Sequence, residues 1–120
     1  MYIGFDDKRD LANQFDISLK SIESCNILFA SYGGYSYEGD AVVILTKDDK
    51  VYEVHGGHCS CNGLEGQWDE EETTWDILHA RYITEDPQHN SFASEHSIDA
   101  YVELKATIEY EIAERHLLGL

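Results

Sequence analysis

The densest group of side chains able to bind a metal lies between residues 55 and 61, and its members are His55, His58, Cys59 and Cys61. Imidazole and thiolate are the usual donors to zinc, so these residues predict a small zinc-binding module. One residue separates the two cysteines, which is closer than the spacing of about two to four residues found in most zinc sites. Further ligands would have to come through space, from Cys25, His79, His89 or His96.

The same segment also fits two interpretations without a metal. Cys59 beside His55 or His58 could form a thiolate–imidazolium pair, which is the nucleophile of cysteine-dependent enzymes. The sequence shows no obvious third member of such a site, so we expect no catalytic residues and no enzymatic activity. In the other interpretation Cys59 and Cys61 are small buried side chains, because cysteine is among the residue types most often found in protein cores.

Acidic side chains are concentrated between residues 65 and 76, with no Lys or Arg among them, at Glu65, Asp69, Glu70, Glu71, Glu72 and Asp76. Carboxylates spread along a folded surface can imitate the phosphates of a nucleic acid. A protein groove lined with Lys and Arg would then accept this surface, and the association would be fast and sensitive to salt. The alternative is that the charge only keeps a small protein soluble.

Tyrosines crowd the segment around Gly33 and Gly34, at Tyr32, Tyr35 and Tyr37. The paired glycines predict a turn or a bulge, and tyrosines at an exposed turn are typical of interface hot spots. These three residues are therefore candidate anchors for a protein partner. Packing across neighbouring strands is the alternative interpretation.

Hydrophobic patterning predicts that a sheet positions these residues. Residues 41–46 are apolar and largely β-branched, residues 47–50 form a polar reversal, and residues 51–55 alternate in polarity. The alternation places Val51, Glu53 and His55 on one face of the second strand, and Tyr52 and Val54 on the other. Strand, tight turn and strand together predict a β-hairpin.

Three helices are predicted around the sheet, at residues 6–16, over about ten residues after Thr73 or Thr74, and from Ser94 or Ser97 to about residue 118. The last two carry apolar stripes at helical spacing, formed by Trp75, Leu78 and Tyr82 and by Tyr101, Leu104, Ile108 and Ile112. Residues 56–67 and 84–96 are predicted to be irregular. The chain is therefore expected to be one α+β domain over residues 1–120, with a small antiparallel sheet of about three strands and two to three helices on one side.

Charge is the strongest compositional signal, because 24 acidic residues stand against 8 Lys and Arg in 120 residues, a formal net charge of -16. Direct binding to nucleic acid or to an anionic membrane is not expected, since both depend on positive charge. No apolar run approaches the roughly 20 residues of a membrane-spanning helix, and residues 1–10 lack the layout of a secretion signal. We therefore expect a cytoplasmic protein with thiols rather than disulfides.

The segment from Tyr52 to Trp75 reads Y-E-V-H-G-G-H-C-S-C-N-G-L-E-G-Q-W-D-E-E-E-T-T-W. Its strand, its H-C-S-C-x-G-L-E-x-Q-W run and the acidic helix start that follows resemble a group of small proteins encoded by phages and prophages. The resemblance covers residues 28–81 and implies a phage context, but it brings no established activity and no catalytic residue. Small, strongly acidic phage proteins often act on host machinery, and several anti-CRISPR and anti-restriction proteins imitate nucleic-acid charge.

Charge and context together predict a phage-derived inhibitor of a host defence system, of the anti-CRISPR or anti-restriction type. It would dock an acidic face on a basic nucleic-acid-binding surface of a host protein or nucleoprotein complex in the host cytosol. The expected contact residues are the six acidic residues and three tyrosines named above. The alternatives are the zinc module and, less favoured, a Cys59-dependent enzyme; no cofactor besides that zinc is expected. A homodimer would double the contact surface by two-fold symmetry.

Overall fold

A five-stranded mixed sheet forms the centre of the computed structural model, which describes residues 1–35, 38–59, 63–83 and 90–117. The strands lie in chain order, as β1 (Tyr2–Ile3), β2 (Asn26–Tyr35), β3 (Glu38–Lys47), β4 (Lys50–His58) and β5 (Glu71–Thr73). β1 is parallel to β2, and all other neighbours are antiparallel. The α+β fold is confirmed. The predicted strand number was too low, because β1 and β5 have only two and three residues and show no periodicity.

The predicted hairpin is confirmed in β3 and β4. Lys47 pairs with Lys50, and the two residues between them, Asp48 and Asp49, have positive φ angles of 52° and 62°. Such two-residue turns match the twist of antiparallel strands. β4 continues to His58, so the first three residues of the segment predicted to be irregular after residue 55 belong to the strand.

One face of the sheet, which we call the α1 face, is covered by the N-terminal part of the chain. Helix α1 (Lys8–Phe15) begins after its Asp7 cap, and a 3-10 helix (Leu19–Ile22) follows it. Their buried side chains pack with the strand residues on this side, and together these are Leu11, Ala12, Phe15, Ile22, Ala41, Val43, Leu45 and Val54.

The opposite face, which we call the α4 face, is covered by α2 (Trp75–Tyr82), α3 (Ser91–Glu95) and α4 (Ile98–Leu117). The predicted stripes of α2 and α4 are confirmed, and they pack on Phe29, Val42, Ile44 and Val51. The prediction that helices lie on one side of the sheet is therefore wrong. β2 to β4 carry apolar side chains on both faces, and each face needs its own cover.

A β-bulge in β2 decides which side chains reach each face. Ile27 pairs with Leu45 and Phe29 pairs with Ile44, so Leu28 is the extra residue. Residues two apart in a regular strand share a face, yet Ile27 belongs to the core on the α1 face and Phe29 to the core on the α4 face. The bulge therefore lets one end of β2 contribute a large apolar side chain to both cores.

Side chains cap the three helices of the α4 face. The hydroxyl of Thr74 accepts a hydrogen bond from the Ile77 amide at 3.1 Å, and that of Ser97 accepts one from the Ala100 amide at 2.9 Å. Asn90 caps α3, whose residues were predicted to lie in a loop; the preceding residues 84–89 lie outside the described ones. No helix in the described part of the chain is long and apolar enough to cross a membrane.

Leu104→Ala is expected to destabilise the fold by about 2–5 kcal/mol, because Leu104 is fully buried between α4 and the sheet and its truncation leaves a cavity. Leu117→Ala makes the same change on the same helix at a side chain that is 81% exposed, and it should cost less than about 0.5 kcal/mol. Chemical denaturation of both variants measures the difference. Equal costs would contradict the packing of α4 described above.

Candidate functional site

A pocket of about 270 Å³ opens on the α4 face between the sheet and helices α2 and α3. The sheet contributes Asp40, Val42 and His55, and the helical side contributes Arg81, Tyr82, Asn90, Phe92 and Glu95. Apolar and aromatic walls with a few converging charged groups are the usual composition of a binding or catalytic site.

A buried carboxylate lies beside this pocket. Glu53 of β4 is only 2% exposed, and the strand alternation places it on the same face as His55. Its Oε1 accepts a hydrogen bond from the hydroxyl of Tyr82 and lies 2.5 Å from Nε2 of His55, while Arg81 donates to its Oε2. Both oxygens are therefore satisfied, as a buried carboxylate requires.

The contacts of Glu53 fix the protonation of the whole group. Burial opposes the charged form of Glu53, but hydrogen bonds from His55 and Tyr82 and the positive charges of His55 and Arg81 outweigh it, so its pKa lies below the ordinary value. The hydrogen bond to Glu53 raises the pKa of His55 against the effect of burial, and the charges of Glu53 and Asp40 add to it. Burial, with the hydrogen bond to Glu53, raises the pKa of the Tyr82 hydroxyl and keeps it protonated.

His55 is the member of this group that a ligand can reach together with Arg81, because their side chains are 44% and 49% exposed. An imidazolium beside a guanidinium can donate hydrogen bonds to an anionic group or deliver a proton to it. Glu53 and Tyr82 stay behind them and hold His55 in place.

A second group of titratable side chains lies on the α4 face, where β3 meets the end of α3. Asp40, Glu95 and His96 each present one ligand atom, and these atoms all lie within 4.8 Å of one another. Two carboxylates and an imidazole are a donor set that divalent cations accept. Among the described residues this is the group with the composition and spacing of a metal site.

The predicted acidic residues are not equivalent: Glu71 and Glu72 lie in the edge strand β5, whereas Asp76 lies on α2. Glu70 forms an ion pair with Lys47 and accepts a 2.9 Å hydrogen bond from the Trp68 indole, so it is part of the packing. Glu72 lies 3.5 Å from Lys50, in a pair that is exposed on both sides. The remaining four are exposed and have no ion pair with a described residue, and they are Glu65, Asp69, Glu71 and Asp76.

Of the three predicted tyrosines, Tyr32 does not lie at an exposed turn. Tyr32 lies within β2, and its ring packs against Phe5 at a centroid distance of 5.3 Å. Its hydroxyl lies 2.8 Å from Nδ1 of His58. Tyr35 is the last residue of β2, and Tyr37 lies outside the described residues.

The described members of the predicted zinc site do not lie together in the structure. His55 contacts Glu53 and Tyr82 on the α4 face, whereas His58 contacts Tyr32 on the α1 face. The sheet itself therefore separates the two imidazoles. Cys59 follows His58 and is exposed, and Cys61 lies outside the described residues.

The other candidate ligands are also scattered. Cys25 is buried under the α1 face, where burial raises the pKa of its thiol. His79 is exposed on α2, and His89 lies outside the described residues. Among the candidates that the structure describes, His96 is the one that belongs to a group able to bind a metal.

Most residues of the pocket were missed at the sequence level. One signal for Glu53 was present in the sequence. The alternation of β4 places it on the same face as the apolar Val51, and a charged side chain on a buried face needs a partner. Its partners Arg81 and Tyr82 lie almost 30 residues away in the chain, at separations of 28 and 29 residues. No local pattern predicts contacts at that distance.

No family model matches the chain, and no curated protein or solved structure matches it either. The chemistry of its own residues and surface must therefore indicate the function.

Glu53→Gln is expected to lower the pKa of His55, because the substitution removes the negative charge that stabilises the imidazolium. NMR titration of the His55 ring in the wild type and the variant measures the shift. Glu109→Gln removes a carboxylate that is 51% exposed on α4, and this matched control should leave His55 unchanged. An equal His55 pKa in the wild type and Glu53→Gln would contradict the pairing.

The same pair should make stability depend on pH. The raised pKa of His55 contributes stability that is complete below its ordinary value of 6.5 and is lost as the pH rises through the raised value. The lowered pKa of Glu53 contributes stability above its ordinary value of 4.5 that is lost as the pH falls through the lowered value. The excess free energy of unfolding of the wild type over Glu53→Gln should therefore shrink as the pH rises from the ordinary value of 6.5 through the raised pKa of His55, as denaturation curves over this range will show.

Proposed function

We propose that the protein binds the basic nucleic-acid-binding surface of a host protein through one acidic edge of its sheet. We call this surface the acidic edge, and its members are Glu65, Asp69, Glu71, Glu72 and Asp76. In the proposed biological role the protein is a phage-derived inhibitor of a host defence system, of the anti-CRISPR or anti-restriction type, acting in the host cytosol. The exposed carboxylates of the segment beside β4, with those of Glu65 before it and Asp76 after it in the chain, are the observation that carries the proposal.

The path of the backbone places this segment beside β4. Residues 67–73 run back along the outer side of β4, since Gln67 bonds to both backbone groups of Gly57 at 2.7 Å and Thr73 pairs with Val51. Between Gly57 and Val51 the strand covers about 20 Å, at roughly 3.3 Å per residue. Asp69, Glu71 and Glu72 follow this length of backbone, and the alternation of β5 places Glu71 and Glu72 on opposite faces, so negative charge lies on both sides of the edge.

Very little positive charge offsets the acidic edge. Lys50 is the described cation paired with it, and exposed pairs of this kind contribute about 0–1 kcal/mol. With a net charge of -16 over the whole chain, the edge repels nucleic acid and attracts a surface rich in Lys and Arg. Binding should therefore be fast and should weaken as salt is added.

The phage context rests on the resemblance of residues 52–75, and the same segment contains most of β4, the acidic edge except Asp76, and the first residue of α2. A protein that replaces nucleic acid on its receptor must present charge on a rigid frame. The edge meets this need because β5 pairs with β4 and α2 is docked through Trp75. The expected homodimer remains a prediction.

The test is a competition experiment with a tagged chain and host lysate. Proteins retained on the chain are identified by mass spectrometry, and the column is then washed with duplex DNA. The proposal predicts that a nucleic-acid-binding protein is retained and that DNA and salt both release it. Retention that duplex DNA does not affect would contradict it.

A charge-reversal variant tests the edge itself. Glu65→Lys, Asp69→Lys and Glu71→Lys in one chain should abolish retention without unfolding, because all three side chains are exposed and none has an ion pair with a described residue. Glu70 is left intact because Lys47 and Trp68 depend on it.

The matched control is the triple variant Asp6→Lys, Glu23→Lys and Glu109→Lys, which makes the same change in net charge at exposed positions away from the edge. It should retain the partner nearly as well as the wild type. Equal loss in both triple variants would show that only net charge matters, and equal retention in both would show that the edge is not the contact surface.

A further inference from the structure

We propose that Asp40, Glu95 and His96 bind a divalent transition-metal ion on the α4 face. Each residue offers one ligand atom, all within 4.8 Å of one another. The site differs from the zinc site predicted from His55, His58, Cys59 and Cys61, and it does not depend on the acidic edge.

The imidazole of His96 is held as a metal ligand would be. Its side chain has no solvent exposure, and its ring stacks on Phe92 at a centroid distance of 4.2 Å. Nδ1 lies 2.7 Å from the hydroxyl of Ser31. Ligating histidines usually bond through their second ring nitrogen in this way, which fixes the tautomer and the orientation of the ring.

The other ring nitrogen of His96 is buried and has no hydrogen-bond partner among the described residues. It points toward the carboxylate of Asp40, with 3.5 Å between Nε2 and Oδ2. Leaving a buried polar atom without a partner costs about 1–3 kcal/mol. An ion between Nε2 and the two carboxylates would satisfy it.

The backbone of β2 is shaped to admit His96. A Cβ at Gly33 would lie 2.9 Å from Cα of His96 and 3.1 Å from its Nδ1, so no larger residue fits there without displacing the histidine. Gly33 pairs with Asp40 across β2 and β3. The same register that brings His96 onto the sheet therefore places the carboxylate beside it.

The charges around the site favour a divalent cation. Arg81 and His55 also line the pocket, but both are bound to Glu53. Asp40 and Glu95 have no Lys or Arg partner among the described residues, and their two negative charges would balance an ion of charge +2. Both are partly exposed, with the Asp40 side chain at 40%, so an ion can enter and water can complete its coordination.

The donor set indicates the class of ion. Imidazole favours zinc and its transition-metal neighbours, while carboxylates also accept manganese; magnesium and calcium take oxygen ligands and gain little from imidazole. Mn²⁺ is the sharper first probe because it has little affinity for thiolates, so the cysteines do not compete. Zn²⁺ is the second probe, used in a Cys59→Ser chain.

The experiment titrates the full-length protein with Mn²⁺ and follows the electron paramagnetic resonance signal of the unbound ion. One ion should bind per chain, and NMR signals of Ser31, Gly33 and His96 should broaden first. Asp40→Asn and Glu95→Gln preserve shape and should each weaken binding by at least about tenfold. Ser31→Ala removes only the hydrogen bond that orients the His96 ring, and it should also weaken Mn²⁺ binding by roughly tenfold or more.

Asp76→Asn and Glu109→Gln are the matched controls, since each removes an exposed carboxylate elsewhere, and both should bind Mn²⁺ as the wild type does. No binding of Mn²⁺ or Zn²⁺ up to about 1 mM, the weak end of protein cation sites, would overturn the proposal. Binding that Asp40→Asn and Glu95→Gln leave unchanged would also overturn it. Charge reversal at the acidic edge should leave Mn²⁺ affinity unaffected, so this proposal and the proposed function can fail separately.

Discussion

The burial of β3 on both faces is the constraint on which the rest of this structure depends. Residues 41–45 are all buried, with Ala41, Val43 and Leu45 on the α1 face and Val42 and Ile44 on the α4 face. A strand of this kind is stable only between two layers. α1 and the 3-10 helix form one layer, and α2, α3 and α4 form the other. The pocket lies where α2 and α3 of the second layer meet Asp40, the last polar residue before the buried run.

Glu53 is the exception to this apolar arrangement, and its contacts explain how the pocket is held. A carboxylate buried without partners would cost several kcal/mol, and it would instead take up a proton. Tyr82, Arg81 and His55 prevent this, and the first two come from the end of α2. Glu53 therefore ties α2 to the sheet at a defined position and raises the pKa of His55 at the pocket wall.

The sequence predicted the elements of this fold that are set by interactions between residues close together in the chain. The β3–β4 hairpin and the stripes of α2 and α4 follow from periodicity, and the Thr74 and Ser97 caps follow from hydrogen bonds three residues apart. Helix α1 was predicted, but its position on the face opposite α2 and α4 was missed, because local patterns do not show which face of a sheet a helix covers.

The site was missed because its members come from segments far apart in the chain. Glycine was the most misleading signal. The pair Gly33 and Gly34 predicts a turn or a bulge, yet Gly33 lies inside β2, where it allows the close approach of His96. Sequence shows that a glycine is needed at such a position, but only the tertiary structure shows what approaches it.

The bulge at Leu28 has a consequence for how this chain can change in evolution. Because one extra residue rotates Ile27 and Phe29 onto opposite faces, deleting it would turn one of them, with everything on its side of the bulge, toward the wrong layer. An insertion next to it would do the same. Selection should therefore remove insertions and deletions in the first half of β2, even where it tolerates substitutions of similar volume. A related sequence with an insertion or deletion in that half would have had to repack both cores.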